Sequence, residues 1–213
     1  MINCVVFDFD GVIIDSHDVQ IMALTKSFRE IVGVGEPPVE DFFKHSGNSL
    51  ENIFIKLGLP LEMIPVYRLV SSENIKSIKI HTGMRELLDE LSEKNINCSL
   101  CTGKERKRTM EILTCLDLEK YFRVIVCSDD VKNPKPDPES LINIIKALKT
   151  TSDEMVMVGD GINDILAAKR LQIASIAVTW GDCSKEMLRR HSPDYLCDRV
   201  FDLRNILIKE GGE

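Results

Sequence analysis

The feature of this sequence that most restricts its fold is the alternation of short apolar runs with longer amphipathic segments. Runs with the length and β-branched content of buried strands cover residues 2–7, 96–101, 124–127, 155–158 and 173–178, with a shorter run at 195–197. Amphipathic patterns typical of helices lie at 84–94, 106–115, 138–148, 162–171 and 185–190. This β-α-β-α order predicts an α/β fold, in which a mainly parallel sheet carries helices on both faces.

The segment between the first two predicted strands departs from this rhythm. Helix-like stretches without a convincing strand occupy it, at 18–32, 49–57 and 62–80. A connection of this length is too long for a simple loop in a compact domain. We therefore predict two domains, a catalytic core of residues 1–15 and 81–213 and a helical cap of residues 16–80 inserted into it.

Composition and charge restrict the partners. The 213-residue chain is 44% hydrophobic and carries a formal net charge of −7. The apolar content suffices for a substantial core, while the acidic balance disfavours nucleic acid and anionic membranes as partners. The N-terminus has no basic, signal-like region, and no apolar run approaches the ~20 residues that span a bilayer. We expect a soluble cytoplasmic protein.

The seven cysteines are odd in number and their spacing suggests no disulfide framework, so free thiols are expected. Cys98 and Cys101 have the spacing of a metal or redox pair, but both lie in a predicted strand. Residues three apart on a strand point to opposite faces of the sheet. The two cysteines are therefore interpreted as separate core residues.

Acidic residues follow two of the predicted strands. Asp8 and Asp10 come directly after the first strand, and Asp160 follows the fourth, with Asp164 near the start of the next helix. Ending a buried strand in carboxylates is unfavourable unless a cation or a proton offsets their charge. Neighbouring carboxylates suggest a Mg²⁺ site, because Mg²⁺ prefers oxygen ligands. The structural alternative is a polar turn and a helix cap at each place.

Two further segments have the chemistry of a phosphate site. Thr102 and Gly103 follow the second strand, where a hydroxyl and backbone N–H groups can hold a phosphoryl group. Lys135 stands between two prolines, which stiffen the backbone and fix its ammonium for a phosphoryl group and a nearby carboxylate. Ordinary turns are the alternative for each segment alone. In a doubly wound sheet, however, the carboxyl ends of the strands face one crevice.

Together these segments resemble the four motifs of the haloacid dehalogenase superfamily. The matching segments are DFDGV from Asp8, TG at Thr102, KP at Lys135 and GDGIND from Gly159. The resemblance covers nearly the whole chain, in order and in spacing. It implies a Rossmann-like, doubly wound core with the first strand central. The insertion resembles the helical, C1-type cap of the subfamily that includes phosphoglycolate phosphatases, β-phosphoglucomutases and pyrophosphatases.

The resemblance also implies a role for each motif residue. Asp8 is expected to attack phosphorus as the nucleophile, and Asp10 to act as general acid and base. Mg²⁺ is expected to bind the Asp8 carboxylate, the backbone carbonyl of Asp10 and Asp160, with Asp164 in an outer position. The residues expected to hold the transferring phosphoryl group are Thr102, Gly103 and Lys135.

The implied function is that of a Mg²⁺-dependent phosphatase, which hydrolyses a small phosphorylated metabolite through an aspartyl-phosphate. Phosphoglycolate phosphatase-like specificity is the nearest expectation, and pyrophosphatase or nucleotidase activity is an alternative. A compact polar cap loop containing Gly47 and Asn48 is predicted to face the substrate; the alternative is a turn before a helix N-cap at Ser49. We expect a monomer or a homodimer.

A phosphosugar mutase and a non-catalytic binding protein on the same fold are the remaining alternatives. Asp10 favours phosphoryl chemistry, because the dehalogenases release a halide, which needs no proton, and lack an acid there. The β-phosphoglucomutases carry a histidine where this chain has Gln20, and a cap arginine near the polar run from His45 to Ser49. Both departures favour a hydrolase, and the intact motifs argue against a protein that only binds.

Overall fold

A parallel β-sheet is the centre of the fold in the computed structural model, which describes residues 2–209. The strands are β1 (Cys4–Phe7), β2 (Ile14–Asp15), β3 (Lys79–Ile80), β4 (Asn97–Cys101), β5 (Phe122–Val126), β6 (Met155–Gly159), β7 (Ala174–Val178) and β8 (Tyr195–Cys197). Six of them form one sheet in the order β5-β4-β1-β6-β7-β8, and every neighbouring pair is parallel. The predicted α/β, Rossmann-like sheet with a central first strand is confirmed. Residues 1 and 210–213 of the predicted core lie outside the described residues.

Helices cover the sheet on both faces. Those in the described part of the chain are α1 (His17–Ile31), α2 (Val39–Phe43), α3 (Leu50–Lys56), α4 (Met63–Glu73), α5 (Met84–Glu93), α6 (Arg106–Cys115), α7 (Glu139–Leu148), α8 (Ile162–Arg170), α9 (Lys185–Arg190) and α10 (Val200–Lys209). Helices α5, α6 and α10 form one apolar cluster with Val5 and Phe7 of β1, whereas α7 and α8 form another with Cys4 and Val6. Since strand side chains alternate between faces, β1 is buried from both sides and reads as a continuous apolar run.

The two cysteines of β4 belong to different faces of the sheet. Cys98 lies in the cluster with Val5 and Phe7, and Cys101 in the cluster with Cys4. All seven cysteines are free thiols. The interpretation of Cys98 and Cys101 as separate core residues is therefore confirmed.

The insertion between β2 and β3 contains α1 to α4 and has an apolar cluster of its own. Helices α1 and α4 pack against each other. The rings of Phe42, Phe54 and Tyr67 meet pairwise in this cluster at centroid distances of 6.0–6.4 Å. Strands β2 and β3 pair antiparallel, Ile14 opposite Ile80, so the chain enters and leaves the insertion side by side.

Some elements differ from the sequence prediction. The helix expected over 62–80 ends at Glu73, where the side-chain amide of Asn74 donates to the carbonyl of Val70 at 2.8 Å and satisfies the helix end. A short 3₁₀ turn and β3 follow it. Helices α2 and α10 and the two-residue strands β2 and β3 were not predicted. None of the helices within residues 2–209 is long and apolar enough to cross a lipid bilayer.

Candidate active site

Three acids meet at the carboxyl edge of the two central strands. Asp8 follows β1, Asp160 follows the adjacent strand β6, and Asp164 lies in the first turn of α8. One carboxylate oxygen from each lies within 4.8 Å of the others, and all three side chains are buried. The parallel pairing of β1 with β6 brings these acids together, although more than 150 positions separate Asp8 from Asp160 in the chain.

Lys135 lies within this cluster and is only 2% exposed. Its Nζ is 2.6 Å from Oδ1 of Asp164 and 3.1 Å from Oδ1 of Asp8. It also donates to the backbone carbonyl of Cys101 at 2.8 Å. Burial by itself lowers the pKa of Lys135, but the charges of Asp164 and Asp8 outweigh it and raise that pKa. The ammonium group is therefore held in its charged form.

The electrostatics of the cluster disfavour the ionised forms of its acids. Burial raises the pKa of Asp8 to about 7, although the charge of Lys135 opposes the shift. Burial raises the pKa of Asp160 well above its usual range, and the charges of Asp182 and Asp8 raise it further. Three carboxylates face a single ammonium here, so one lysine cannot neutralise the site when all three acids are ionised.

Asp160 shows most clearly what the cluster can hold. Its Oδ2 accepts the backbone N–H of Asp182 at 2.7 Å, but its buried Oδ1 has no partner among the described residues. A Cβ at Gly11 or at Gly181 would lie 2.2 Å from Oδ2, so glycines let the backbone approach this carboxylate. Buried carboxylate oxygens, one of them unpaired, form a donor set that fits a hard divalent cation.

Asp10 stands outside the three-acid cluster and has different partners. Its Oδ1 accepts the hydroxyl of Ser16 at 2.5 Å, and its Oδ2 lies 3.1 Å from Nζ of Lys104. Gln20 donates to the Ser16 hydroxyl at 2.9 Å, and Tyr67 of α4 donates to Gln20 at 3.5 Å. A chain of hydrogen bonds thus runs from the insertion to the Asp10 carboxylate. The sequence analysis missed Ser16 and Lys104 as partners of Asp10.

Thr102 and Gly103 lie at the end of β4, beside Asp8 and Asp10 at the wall of one cleft. The Thr102 hydroxyl accepts the backbone N–H of Lys104 at 3.1 Å, which orders the turn into α6. The sequence analysis placed both residues at this edge from the strand-end pattern, and the structure brings them to the acids.

The predicted cap loop lies directly over the acids. A Cβ at Gly47 would lie 3.6 Å from both Oδ2 of Asp8 and Nζ of Lys135, and Gly47 has a positive φ of 82°. A Cβ at Gly103 would lie 2.3 Å from the backbone carbonyl of Asn48. The loop and the end of β4 therefore approach each other so closely that only glycine fits at position 103.

Asp182, in the loop after β7, connects the acids to the insertion. It bonds to Nδ1 of His17 at 2.8 Å and accepts the hydroxyl of Ser46 at 3.0 Å. Burial raises the pKa of Asp182, and the bonds from His17 and Ser46 oppose that shift. The His17 ring stacks on Phe43 with centroids 4.1 Å apart. The sequence analysis missed Asp182, although its position shortly after a buried strand was the same signal that identified Asp160.

The fold and the acids at its carboxyl edge define a class of hydrolases, the Rossmann-like α/β phosphatases. The model of the haloacid dehalogenase-like hydrolases matches residues 5–178. The chain belongs to the haloacid dehalogenase-like hydrolases, and it is a hydrolase of phosphate esters. Members of this family generally use a divalent metal ion, and the three buried acids could bind one.

Individual relatives agree with this assignment. Pyrophosphatase PpaX from Halalkalibacterium halodurans is 31% identical over 209 residues, which are 97% of each chain. A predicted phosphatase from Clostridium acetobutylicum has a TM-score of 0.88 and 24% identity over 98% of this chain and 99% of that one. A predicted phosphoglycolate phosphatase from Haemophilus somnus 129pt has a TM-score of 0.87 and 18% identity over 97% and 98% of the two chains. At such identities the structural likeness shows the fold alone.

Proposed function

We propose that this phosphatase is Mg²⁺-dependent and transfers the phosphoryl group of a small metabolite first to Asp8 and then to water. The observation that carries the proposal is the separation of two kinds of acid at one sheet edge. Asp8 is buried with Asp160, Asp164 and Lys135, whereas Asp10 lies outside this cluster. Asp8 is thus placed within the buried cluster, whereas Asp10 has separate partners, Ser16 and Lys104, and is positioned for proton transfer.

The cation would be held by Asp8, Asp160 and the backbone carbonyl of Asp10, with Asp164 in an outer position. The orphaned Oδ1 of Asp160 and the presence of three acids around one lysine support this assignment. When bound, Mg²⁺ offsets the repulsion between an attacking carboxylate and the negatively charged phosphoryl group. Asp164 is committed to Lys135 and to the backbone N–H of Gly161 at 3.0 Å, which suits an orienting role.

The protein's own groups perform the transfer in two steps. Asp8 attacks phosphorus, while the phosphoryl oxygens are held by the Thr102 hydroxyl, the Gly103 N–H and the Lys135 ammonium. Asp10 gives its proton to the leaving oxygen as the bond to phosphorus breaks. It then takes a proton from the water that attacks the aspartyl-phosphate, which releases phosphate and restores both acids.

The cleft favours a small substrate. The cap loop at Gly47 and Asn48 closes over Asp8, which leaves room for a compact leaving group and suits exclusion of bulk water. We therefore propose phosphoglycolate-like specificity, with Gly47 and Asn48 at the substrate. Pyrophosphate is the second candidate, favoured by the name of the relative that is 31% identical.

A mutase remains the less favoured alternative. Gln20 stands where the mutases have histidine, and its amide is engaged between the Ser16 and Tyr67 hydroxyls. An amide does not exchange protons in the way an imidazole does. This arrangement favours hydrolysis over return of the phosphoryl group to a sugar.

We also propose a domain organisation, a location and an oligomeric state for the whole chain. We propose that residues 16–80 act as a cap domain on a core of 1–15 and 81–213, because the insertion has its own apolar cluster. We also propose a cytoplasmic protein, monomeric or homodimeric, that acts on a small metabolite without a nucleic-acid or membrane partner. The net charge of −7 supports the last point.

Phosphate release from a panel of phosphorylated metabolites, with and without Mg²⁺, tests the proposed function. We expect Mg²⁺-dependent release that EDTA removes and added Mg²⁺ restores, with small acids or pyrophosphate among the best substrates. Release that persists in EDTA contradicts the metal dependence. Activity that appears only with a sugar bisphosphate activator supports the mutase instead.

A further inference from the structure

The cleft beside Asp10 has a basic edge that contains an arginine without a role in the reaction described above. Three cationic residues line this edge, Arg68, Lys104 and Arg108. Apolar side chains from the inserted helices also line the cleft, among them Phe42, Leu50 and Ile53. The cleft thus offers a leaving group both apolar contact and positive charge.

Two of these cations already have carboxylate partners at the cleft. Lys104 lies 3.1 Å from Oδ2 of Asp10. Arg68 makes ion pairs with Glu51 and Glu105, both of which also line the cleft. Their charges are therefore largely neutralised before a substrate arrives.

Arg108 also has a carboxylate partner, Glu111, but that acid does not line the cleft, and Arg108 is only 7% exposed with an incompletely bonded guanidinium. Nη2 donates to the carbonyl of Ser71 at 2.5 Å, and Nη1 lies 3.1 Å from Glu111, whose side chain is 35% exposed. The buried Nε has no partner in the described part of the chain. A buried donor without an acceptor is unfavourable and requires an explanation.

Arg108 and Asp10 lie around the same part of the cleft. Both line it together with Tyr67, and Arg108 donates to the carbonyl of Ser71, four residues after Tyr67 on α4. Tyr67 is also linked to Asp10 through Gln20 and Ser16. Because Asp10 protonates the leaving oxygen, this is the side on which the leaving group would bind.

We propose that Arg108 is a specificity-determining residue, which binds an anionic group on the leaving-group side of the substrate. A guanidinium bonds to carboxylate or phosphate oxygens through a planar set of N–H donors, and such an anion supplies the acceptor that Nε lacks. A phosphate ester of the same size whose leaving group is uncharged supplies only a neutral acceptor, which a guanidinium binds more weakly. The inference rests on the proposed function, since the role of Asp10 defines the leaving-group side.

The test compares kcat/KM for three substrates in wild type and Arg108→Met, which keeps the apolar stem but removes the charge and the donors. Phosphoglycolate carries a carboxylate, pyrophosphate a second phosphate, and 2-hydroxyethyl phosphate a neutral hydroxyl. Arg106→Met is the matched control, because Arg106 lies on the same helix turn but pairs with Asp130 outside the cleft lining.

We expect wild type to prefer at least one anionic substrate over 2-hydroxyethyl phosphate by roughly tenfold or more. Arg108→Met removes that preference mainly through KM, while Arg106→Met retains it. The preferred substrate tells whether the anion is a carboxylate or a phosphate. Equal losses on all three substrates in Arg108→Met mean that Arg108 only joins α6 to α4, and they overturn the proposal.

Measurements on wild type alone distinguish a failure of this inference from a failure of the proposed function. They also test the inference if Arg108→Met does not fold. Hydrolysis without preference for an anionic substrate overturns the role of Arg108 but leaves the phosphatase proposal intact, whereas no hydrolysis of any ester contradicts both. Inhibition of wild type by glycolate at concentrations about tenfold below those of neutral ethylene glycol supports an anion site. Equal inhibition by the two compounds contradicts it.

Discussion

Lys135 is the residue on which the arrangement of the acids depends. Its ammonium touches Asp8 and Asp164 and keeps them in one buried cluster with Asp160. One positive charge does not balance three carboxylates, so the cluster is complete only with a further cation or with protons. This excess of acids over cations underlies the proposed metal dependence, and burial of the site raises the pKa of Asp8.

Asp8→Asn is expected to reduce phosphate release by about 10⁴-fold or more, because an amide is not a nucleophile toward phosphorus. Without Mg²⁺ the variant should melt at the wild-type temperature or above, since a neutral group replaces a carboxylate beside two other acids. Phosphate release and thermal unfolding measure the two effects. Asp18→Asn, at an exposed acid on α1, is the matched control, and comparable activity in the two variants would refute the nucleophile.

At the scale of elements, the cap loop and the end of β4 approach each other most closely at the site. The backbone carbonyl of Asn48 leaves no room for a Cβ at Gly103. The amide of Asn163 at the start of α8 also donates to the carbonyl of Ser46 at 3.0 Å. These contacts connect the insertion to the core directly over Asp8.

Gly103→Ala tests this contact, because alanine would push the cap loop away from the acids. We expect kcat/KM to fall by roughly 10²-fold, the effect of about 1 Å of misplacement in an active site. Gly33→Ala is the control, since it places a Cβ in open space at a positive φ and strains only the backbone. Steady-state kinetics measure kcat/KM for both variants. An unchanged kcat/KM in Gly103→Ala would show that the closed loop plays no part in catalysis.

Elements differ in how far the sequence predicts them. The six sheet strands were predicted from their short apolar runs; β1 and β6 are buried on both faces, whereas the edge strands β5 and β8 have exposed residues. Strands β2 and β3 have two residues each, too few for any periodic signal. Ser16 and Asp182 were missed because neither belongs to a motif, and their roles depend on the contacts with Asp10 and Asp160 that the folded chain forms.

At the scale of the whole molecule, the acidic cluster connects the core, the insertion and the proposed cation. Asp182 bonds to Asp160 on one side and to His17 and Ser46 of the insertion on the other. A cation bound at Asp160 would therefore stabilise the contact between the two parts as well as the site itself. Stability and activity should both depend on it.

Mg²⁺ is expected to raise the melting temperature of the whole protein by several degrees, because a ligand at 100 times its Kd adds about 2.7 kcal/mol to stability. Asp160→Asn should remove most of this shift, since it weakens a ligand. Differential scanning fluorimetry with Mg²⁺ and with EDTA measures it, and Asp153→Asn, at an exposed acid before the opposite end of β6, serves as control. A full shift in Asp160→Asn would place the cation elsewhere.

The most direct test of the central claim, that Asp8 takes the phosphoryl group, is acid-quench mass spectrometry of Asp10→Asn mixed with Mg²⁺ and p-nitrophenyl phosphate. Nitrophenolate leaves without a proton, so Asp8 is still phosphorylated, whereas hydrolysis of the aspartyl-phosphate loses its base and slows by roughly 10²–10⁴-fold. We predict a burst of one nitrophenolate per active site, and one phosphoryl group on the peptide that contains Asp8. A phosphoryl group on another residue, or steady turnover without a burst, would contradict it.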